Sequence, residues 1–403
     1  MTISSVFCHR PLLVASLAAC LLVPGRGAEA DIRDVIRDDF AFAAAQYGQL
    51  LAQVKGDPQQ PRSFANGKIV TARIQDWTSG FFPGALWLIY DYTRDPHWRT
   101  IAEEYTARQE PVKDITTNHD VGFMLYCSYG QGLRLTGNPA YRDVLLQGAK
   151  SLSTRFNPAV GAIRSWDNPP WKYPVIIDNM MNLELLMWAA RVGPEPRFRE
   201  IALRHADQTL ANHFRADGSS FHLVDYDPAI GAPVKKQTVQ GAADGSAWAR
   251  GQAWGLYGFT MMYRETRNPA YLAQAEKIAR FLLNHPRLPE DKVPYWDYDA
   301  PGIPNEPRDT SAAAIICSAL IELSGFAEPE LARQCLAVAE RQLRSLSSPA
   351  YRAPLGTNGN FLLLHGVGHK PGKTEIDQPL IYGDYYFLEA LLRLRAKLPA
   401  TAK

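Results

Sequence analysis

An excess of charge of either sign is the first thing this 403-residue chain lacks: 43 Lys and Arg stand against 41 Asp and Glu, leaving +2. A chain so balanced is not expected to engage nucleic acid or a membrane surface. Long hydrophobic runs are missing as well, since the apolar stretch from Pro11 to Pro24 is too short for a spanning helix. Cysteine is scarce, five in all, with Cys8 and Cys20 near the N-terminus. Cys127, Cys317 and Cys335 are odd in number, far apart and set among apolar residues, so no disulfide framework is expected and all three read as buried thiols. Those cysteines have no metal-ligand spacing. The chain also has no His-Glu-x-x-His zinc pattern, no Gly-x-x-x-x-Gly-Lys phosphate loop and no Gly-x-Ser-x-Gly elbow. Neither cofactor nor metal is expected.

What is present begins with an export signal. Arg10 supplies a positive start, residues 11–24 an apolar centre, and Ala28-Glu29-Ala30 a small-x-small cleavage pattern, so residues 1–30 read as a signal peptide. Leu17-Ala18-Ala19-Cys20 offers a second reading, with a lipid anchor on Cys20. Either places the protein in the periplasm or outside the cell. Residues 31–403 remain as one domain, long enough to bury a large core. Nine Trp and 18 Tyr suit sugar recognition, because aromatic faces stack on apolar sugar faces.

Strand-like alternation is rare and amphipathic helical segments dominate. One set has a charged face: Asp31 to Val54, Trp98 to Gln109, Tyr141 to Phe156, Arg197 to Asn212, Tyr271 to His285 and Pro329 to Leu346. In the fifth, Leu272, Ala275, Ala279 and Leu282 repeat at helical spacing opposite Glu276, Lys277 and Arg280. Asp95-Pro96, Asn138-Pro139 and Asn268-Pro269 each combine an N-cap residue with proline at the first helical turn. A second set alternates with the first and is poor in charge: Ser79 to Tyr92, His119 to Leu135, Asn179 to Arg191, Trp248 to Tyr263, Thr310 to Leu323 and Leu380 to Leu394. Helices apolar on most sides must be buried on most sides. Six of each kind, in alternation, predict an all-α fold: an (α/α)6 double-layered helical barrel.

In such a barrel all inner helices start at one mouth. Asp76-Trp77, Asn118-His119-Asp120, Asp178-Asn179, Trp248 with Arg250, Arg308-Asp309 and Asp384 with Tyr385 stand near those starts, so they are expected to converge. Loops 157–177 and 215–247 enter the same mouth, and helix N-termini there favour an anionic ligand. Asp76 and Asp309 read as ordinary N-caps. Asp120 and Asp178 do not, because each lies beside another polar group in an apolar stretch, and buried polar clusters need a reason.

The runs Asp76-Trp77-Thr78-Ser79-Gly80-Phe81-Phe82-Pro83-Gly84, His119-Asp120-Val121-Gly122-Phe123, Ile177-Asp178-Asn179-Met180-Met181-Asn182-Leu183 and Ser246-Ala247-Trp248-Ala249-Arg250-Gly251-Gln252-Ala253-Trp254 resemble the unsaturated glucuronyl hydrolases of glycoside hydrolase family 88. So do Val293-Pro294-Tyr295-Trp296-Asp297 and Asn305-Glu306-Pro307-Arg308-Asp309. The resemblance implies that the non-reducing-end Δ4,5-unsaturated uronic acid is removed from lyase-generated oligosaccharides by vinyl-ether hydration. It implies that Asp178 is the general acid/base and Asp120 the second essential carboxylate. It also places Trp77, His119, Asn179, His222, Gln240, Trp248, Arg250 and Trp254 around the substrate, with Arg250 and the histidines suited to its carboxylate. Relatives acting on sulfated sugars carry serines near the equivalent of residues 364–373, where this chain has His365-Gly366-Val367-Gly368-His369-Lys370. Lys370 and Lys373 remain candidates for meeting an anion. The residues leave four alternatives open: an inverting glycosidase on saturated sugars, a polysaccharide lyase using Tyr385 with Arg250, an unsaturated rhamnogalacturonyl hydrolase, and a sugar-binding protein.

Overall fold

A computed structural model describes residues 1–2 and 30–399. The signal peptide expected over residues 1–30, and the alternative anchor Cys20, lie almost wholly outside the described residues. Residues 32–403 form one compact unit, and within its described part helices alternate between two layers.

The outer layer consists of α1 (Ile32–Gln53), α3 (Pro96–Ala107), α6 (Pro139–Ser153), α8 (Arg197–Asn212), α10 (Pro269–Leu283) and α12 (Pro329–Leu346). Between them run the inner helices α2 (Phe81–Thr93), α4 (Val121–Leu125) with α5 (Gln131–Thr136), α7 (Asn179–Val192), α9 (Ala249–Thr266), α11 (Thr310–Leu323) and α13 (Ile381–Lys397). Each inner helix packs on the next and α13 returns to α2, closing the ring. The charge pattern sorted the layers correctly. In α11 every residue from Thr310 to Ile321 is buried, whereas α12 buries mainly the stripe Leu331, Cys335, Ala339, Leu343 and Leu346. Close inner packing rests on small residues: a Cβ on Gly84 of α2 would stand 2.5 Å from the Cys127 carbonyl oxygen. Cys127, Cys317 and Cys335 are free and buried, as expected.

The three Asx-Pro cues act as predicted. Asp95, Asn138 and Asn268 each accept the backbone N–H two residues on, with proline in the first turn of α3, α6 and α10. One inner segment departs from expectation. The helix predicted over 119–135 is interrupted by a π-helical turn, Tyr126–Gly130, where Ser128 Oγ donates to the Met124 carbonyl oxygen at 2.7 Å and competes with the backbone ladder.

The strands present sit in the connections that lead into inner helices. β1 (Gln60–Ala65) and β2 (Lys68–Ala72) form a hairpin before α2, and β3 (Phe156–Asn157) pairs with β4 (Ala162–Ile163). β5 (Pro174–Ile176), β6 (Leu223–Tyr226) and β7 (Pro233–Gln237) join the two long loops into one antiparallel sheet. β8 (Gly366–His369) and β9 (Thr374–Gln378) make a hairpin before α13. Periodicity missed these strands because they are two to six residues long.

Candidate active site

Asp178 occupies the position before α7 and Asp120 the position before α4, yet neither side chain makes a capping hydrogen bond. Asp309 behaves differently: its carboxylate accepts from Ser311 N–H and Oγ at the start of α11. Asp76, expected to cap α2, instead closes a turn on Thr78 and pairs with Arg62, and Gly80 takes the cap position. Two aspartates at helix starts therefore keep carboxylates that the helix ends do not use.

Asp120 Oδ1 accepts from Asn182 Nδ2 at 3.0 Å, and its Oδ2 lies 3.3 Å from His119 Nε2. Asp178 Oδ2 lies 3.8 Å from His222 Nε2 and meets no hydrogen-bond partner. The His222 ring is oriented from behind: Nδ1 accepts the Val239 N–H at 3.0 Å and the Gln240 N–H at 3.4 Å. Its proton is thereby assigned to Nε2, the nitrogen facing Asp178.

Aromatic rings wall this space. Trp77 lies 4.8 Å from Tyr382 and 5.6 Å from Phe123, while Trp248 packs 4.8 Å from His222. Trp254 meets Phe123 at 5.0 Å. Trp166, carried in by loop 157–177, stands 6.4 Å from His119 and 6.1 Å from His222, with Trp171 behind it at 5.2 Å. Within this cluster both ring nitrogens of His119, His222 Nε2, Asp178 Oδ2, Trp171 Nε1, Trp254 Nε1, Arg250 Nε and Tyr382 Oη are buried without a hydrogen-bond partner. So many unmet buried polar atoms in one place mark a surface built for a polar ligand.

Burial sets the protonation states. It pushes Asp178 up to about 7, opposed by Arg250 and reinforced by the neighbouring Asp120 charge. Burial also pushes Asp120 up to about 7, opposed by the Asn182 hydrogen bond and by Arg155, with Asp76 adding to the rise. His119 and His222 fall to about 3, chiefly through burial and then through Arg155 and Arg250 respectively. At neutral pH both histidines are uncharged, and the aspartate pair can hold a proton.

Residues 57–393 match the family described as Glycosyl Hydrolase Family 88. The chain belongs to that family. It is 48% identical over 338 residues to an unsaturated glucuronyl hydrolase of Formosa agariphila, covering 83% of this chain and 84% of that protein. An unsaturated glucuronyl hydrolase of Bacillus sp. (strain GL1) is 35% identical, covering 84% of this chain and 91% of the relative. Among solved structures, an unsaturated glucuronyl hydrolase specific for heparin superposes with a TM-score of 0.88 at 44% identity, over 91% of this chain and 98% of that one. The protein is a glycoside hydrolase with the predicted all-α barrel.

In this family 88 enzyme the mouth gathers Asp120, Asp178, His119, His222, Trp77, Trp248 and Trp254. Three residues expected around the substrate also hold neighbouring segments of the protein. Asn179 is buried with its amide turned to the adjoining loop, donating to Ile163 O at 2.8 Å and accepting from Ser165 Oγ at 3.2 Å. Arg250 is buried over the Trp248 ring, and its guanidinium donates to the carbonyls of Val367 and Gly368 and lies 3.4 Å from Asp309. It anchors the β8–β9 hairpin, keeps its Nε unpartnered, and lends its charge to Asp178 and His222. Gln240 Nε2 supports the same hairpin through Gly368 O at 3.2 Å. Lys370, a candidate for meeting an anion, is paired with Glu306. Tyr385, the lyase base considered above, accepts from Gln131 Nε2 at 2.9 Å and lines a cavity that it shares with Asp91, Arg134, Glu184 and Arg393.

Sequence reasoning did not single out Trp166, Trp171, Tyr382, Asn182 or Arg155. Two tryptophans within the run Trp166-Asp167-Asn168-Pro169-Pro170-Trp171 were a usable signal for a binding loop. Arg155 gave none; it fixes that loop by pairing with Asp167 and donating to Arg164 O, Ser165 O and Thr116 O.

Proposed function

We propose that this family 88 enzyme removes the terminal Δ4,5-unsaturated uronic acid from lyase-cut oligosaccharides, with Asp178 as general acid/base. The carrying observation is Asp178 itself: buried, uncommitted to its helix, one oxygen unpartnered, and held protonated toward neutral pH beside a second carboxyl. Protonating a vinyl-ether carbon requires an acid that still carries its proton at working pH. Asp178 gives that proton to C4, and the developing cation at C5 is shared with the ring oxygen. The resulting carboxylate then takes a proton from a water that adds at C5. The hemiketal opens, and the hemiacetal left at C1 releases the next sugar. Asp178 ends protonated, so the cycle closes. The neutral His119 and His222 donate to sugar oxygens, and the tryptophans stack on sugar faces.

Relatives support a glycosaminoglycan source, since one is described as specific for heparin and another as an unsaturated chondroitin disaccharide hydrolase. Unsaturated and saturated disaccharides from heparin and chondroitin test the proposal, followed by the ultraviolet absorbance of the conjugated double bond. Loss of signal from unsaturated substrates alone is expected. Hydrolysis of saturated substrates would indicate an inverting glycosidase, a signal gained from intact polymer a lyase, and preference for unsaturated galacturonyl-rhamnose the sister activity. We also propose that residues 1–30 direct export, and fractionation of cells expressing the full chain tests this. Recovery of uncleaved protein in the cytoplasm would count against it.

A further inference from the structure

Asn182 lies one helical turn beyond Asp178 on α7 and is buried. Its amide is used at both ends. Nδ2 donates to Asp120 Oδ1 at 3.0 Å, and Oδ1 accepts the backbone N–H of Phe123 at 2.8 Å. Both partners belong to the first turn of α4, so this one side chain ties the element carrying Asp120 to the helix that Asp178 begins. The intervening residue leaves room for nothing larger than glycine: a Cβ on Gly122 would stand 2.6 Å from Asn182 Cα and 2.7 Å from its Oδ1. Phe123 N–H fixes which way the amide faces, because only the oxygen can accept there, and the NH2 end must then meet Asp120.

A donor held on one carboxyl of a pair breaks the pair's symmetry. Asp120 has Asn182 Nδ2 on Oδ1, whereas Asp178 Oδ2 has no hydrogen-bond partner. A hydrogen bond to the charged form favours ionisation of the group receiving it, and an anionic Asp120 then favours a neutral Asp178. We infer that Asn182 is a positioning residue for the reaction proposed above, holding Asp120 as the anion so that the shared proton resides on Asp178. Other charged or titratable groups around Asp120 are His119 from its own segment, Asp178 at the start of α7, Asp76 from the turn before α2, and Arg155 after α6. Asp178 in turn faces His222 before β6 and Arg250 of α9, whose charge favours the Asp178 anion. His119 is neutral, and Asp76 and Arg155 act in opposite directions. Asn182 is the neutral group that touches the carboxylate itself.

The inference rests on the hydration reading, and the test separates the two. Full-length Asn182→Ala and Asn182→Asp are assayed on an unsaturated disaccharide across pH 4–9, with melting curves at each pH. In the wild type the active form requires Asp120 ionised and Asp178 protonated, so activity falls on both sides of an optimum. Asn182→Ala is expected to lower kcat at least tenfold with KM within about threefold, and to move the acid limb upward by about one pH unit. Asn182→Asp, whose protonated carboxyl can still donate to Asp120, is expected to keep activity on the acid side and lose it as that carboxyl ionises. Should the alanine variant not fold, the aspartate variant alone decides through the shape of its profile. Unchanged profile shapes, with activity tracking the melting temperature, would overturn the inference and leave the hydration reading standing. A wild type that leaves the unsaturated disaccharide intact overturns the hydration reading, and the inference with it.

Discussion

Both ends of this barrel bury polar groups, but the two ends treat them differently. Toward the C-terminal ends of the inner helices, Arg264 pairs with Glu184, Glu265 and Glu322, and Arg393 with Glu322 and Glu389. Tyr257 and Ser318 add hydroxyls to Glu389. Each of those six charges faces an opposite one, and burial there pins helices together. At the N-terminal mouth, by contrast, histidine, tryptophan, tyrosine and aspartate atoms are equally buried and unmet. Leaving a buried polar atom unpaired costs about 1–3 kcal/mol. A folded chain tolerates several in one cluster where a ligand completes them. The contrast teaches that burial alone does not mark a ligand site; a cluster of buried atoms without protein partners points to one.

The sharpest way to break this contrast is to neutralise the acid. Asp178→Asn should lose about a thousandfold or more in kcat/KM on an unsaturated disaccharide while folding normally; near-wild-type turnover would remove the assignment. The opposite pattern is expected at the other end. Arg393→Met leaves Glu389 and Glu322 short of a partner, so denaturant unfolding should show a loss of about 3–5 kcal/mol. Activity per folded molecule should stay within about twofold, and a selective loss of kcat would mean that the two ends are coupled.

Titration sharpens the comparison further. Burial raises the folded-state pKa of Asp178 to about 7, above its ordinary value of 3.8, so the folded protein holds this proton more tightly than the unfolded chain. The stability linked to it is complete below about pH 4 and is lost as pH rises through about 7. Asp178→Asn, which cannot ionise, should therefore match the wild type in acid and exceed it at pH 8 by on the order of 4 kcal/mol. Wild-type kcat/KM should fall over the alkaline part of the same window. A variant that melts lower than the wild type at pH 8 would show that the carboxylate is stabilised, not strained, at the mouth. The smallest effect is reserved for the outer layer, where Asp95→Ala removes the cap of α3 and should cost about 1 kcal/mol without touching activity. A larger loss, or any change in KM, would tie that helix to the mouth.

Much of this was legible before the fold was known. The layer to which each helix belongs followed from where Glu276, Lys277 and Arg280 fall relative to Leu272, Ala275, Ala279 and Leu282. Asp120 and Asp178 stood out because polar neighbours in apolar surroundings lack an ordinary explanation. Arg250 could be placed at the mouth by type and position, but only the hairpin carbonyls of Val367 and Gly368 reveal what the end of its guanidinium holds. The partners of Asn179 could not be foreseen either, since Ile163 and Ser165 lie in a loop whose path no periodic pattern encodes.

Helix count, layer order and the end of the barrel where Asp120 and Asp178 meet were written in local patterns, because burial and capping act through neighbours a few residues apart. Which oxygen meets which donor was not. Asn182 reaching Asp120 across 62 positions, or Trp166 entering between two histidines, depends on how loops of irregular path close over the ring. Hydrogen bonds a few ångströms long between distant segments are settled only when the whole chain has packed.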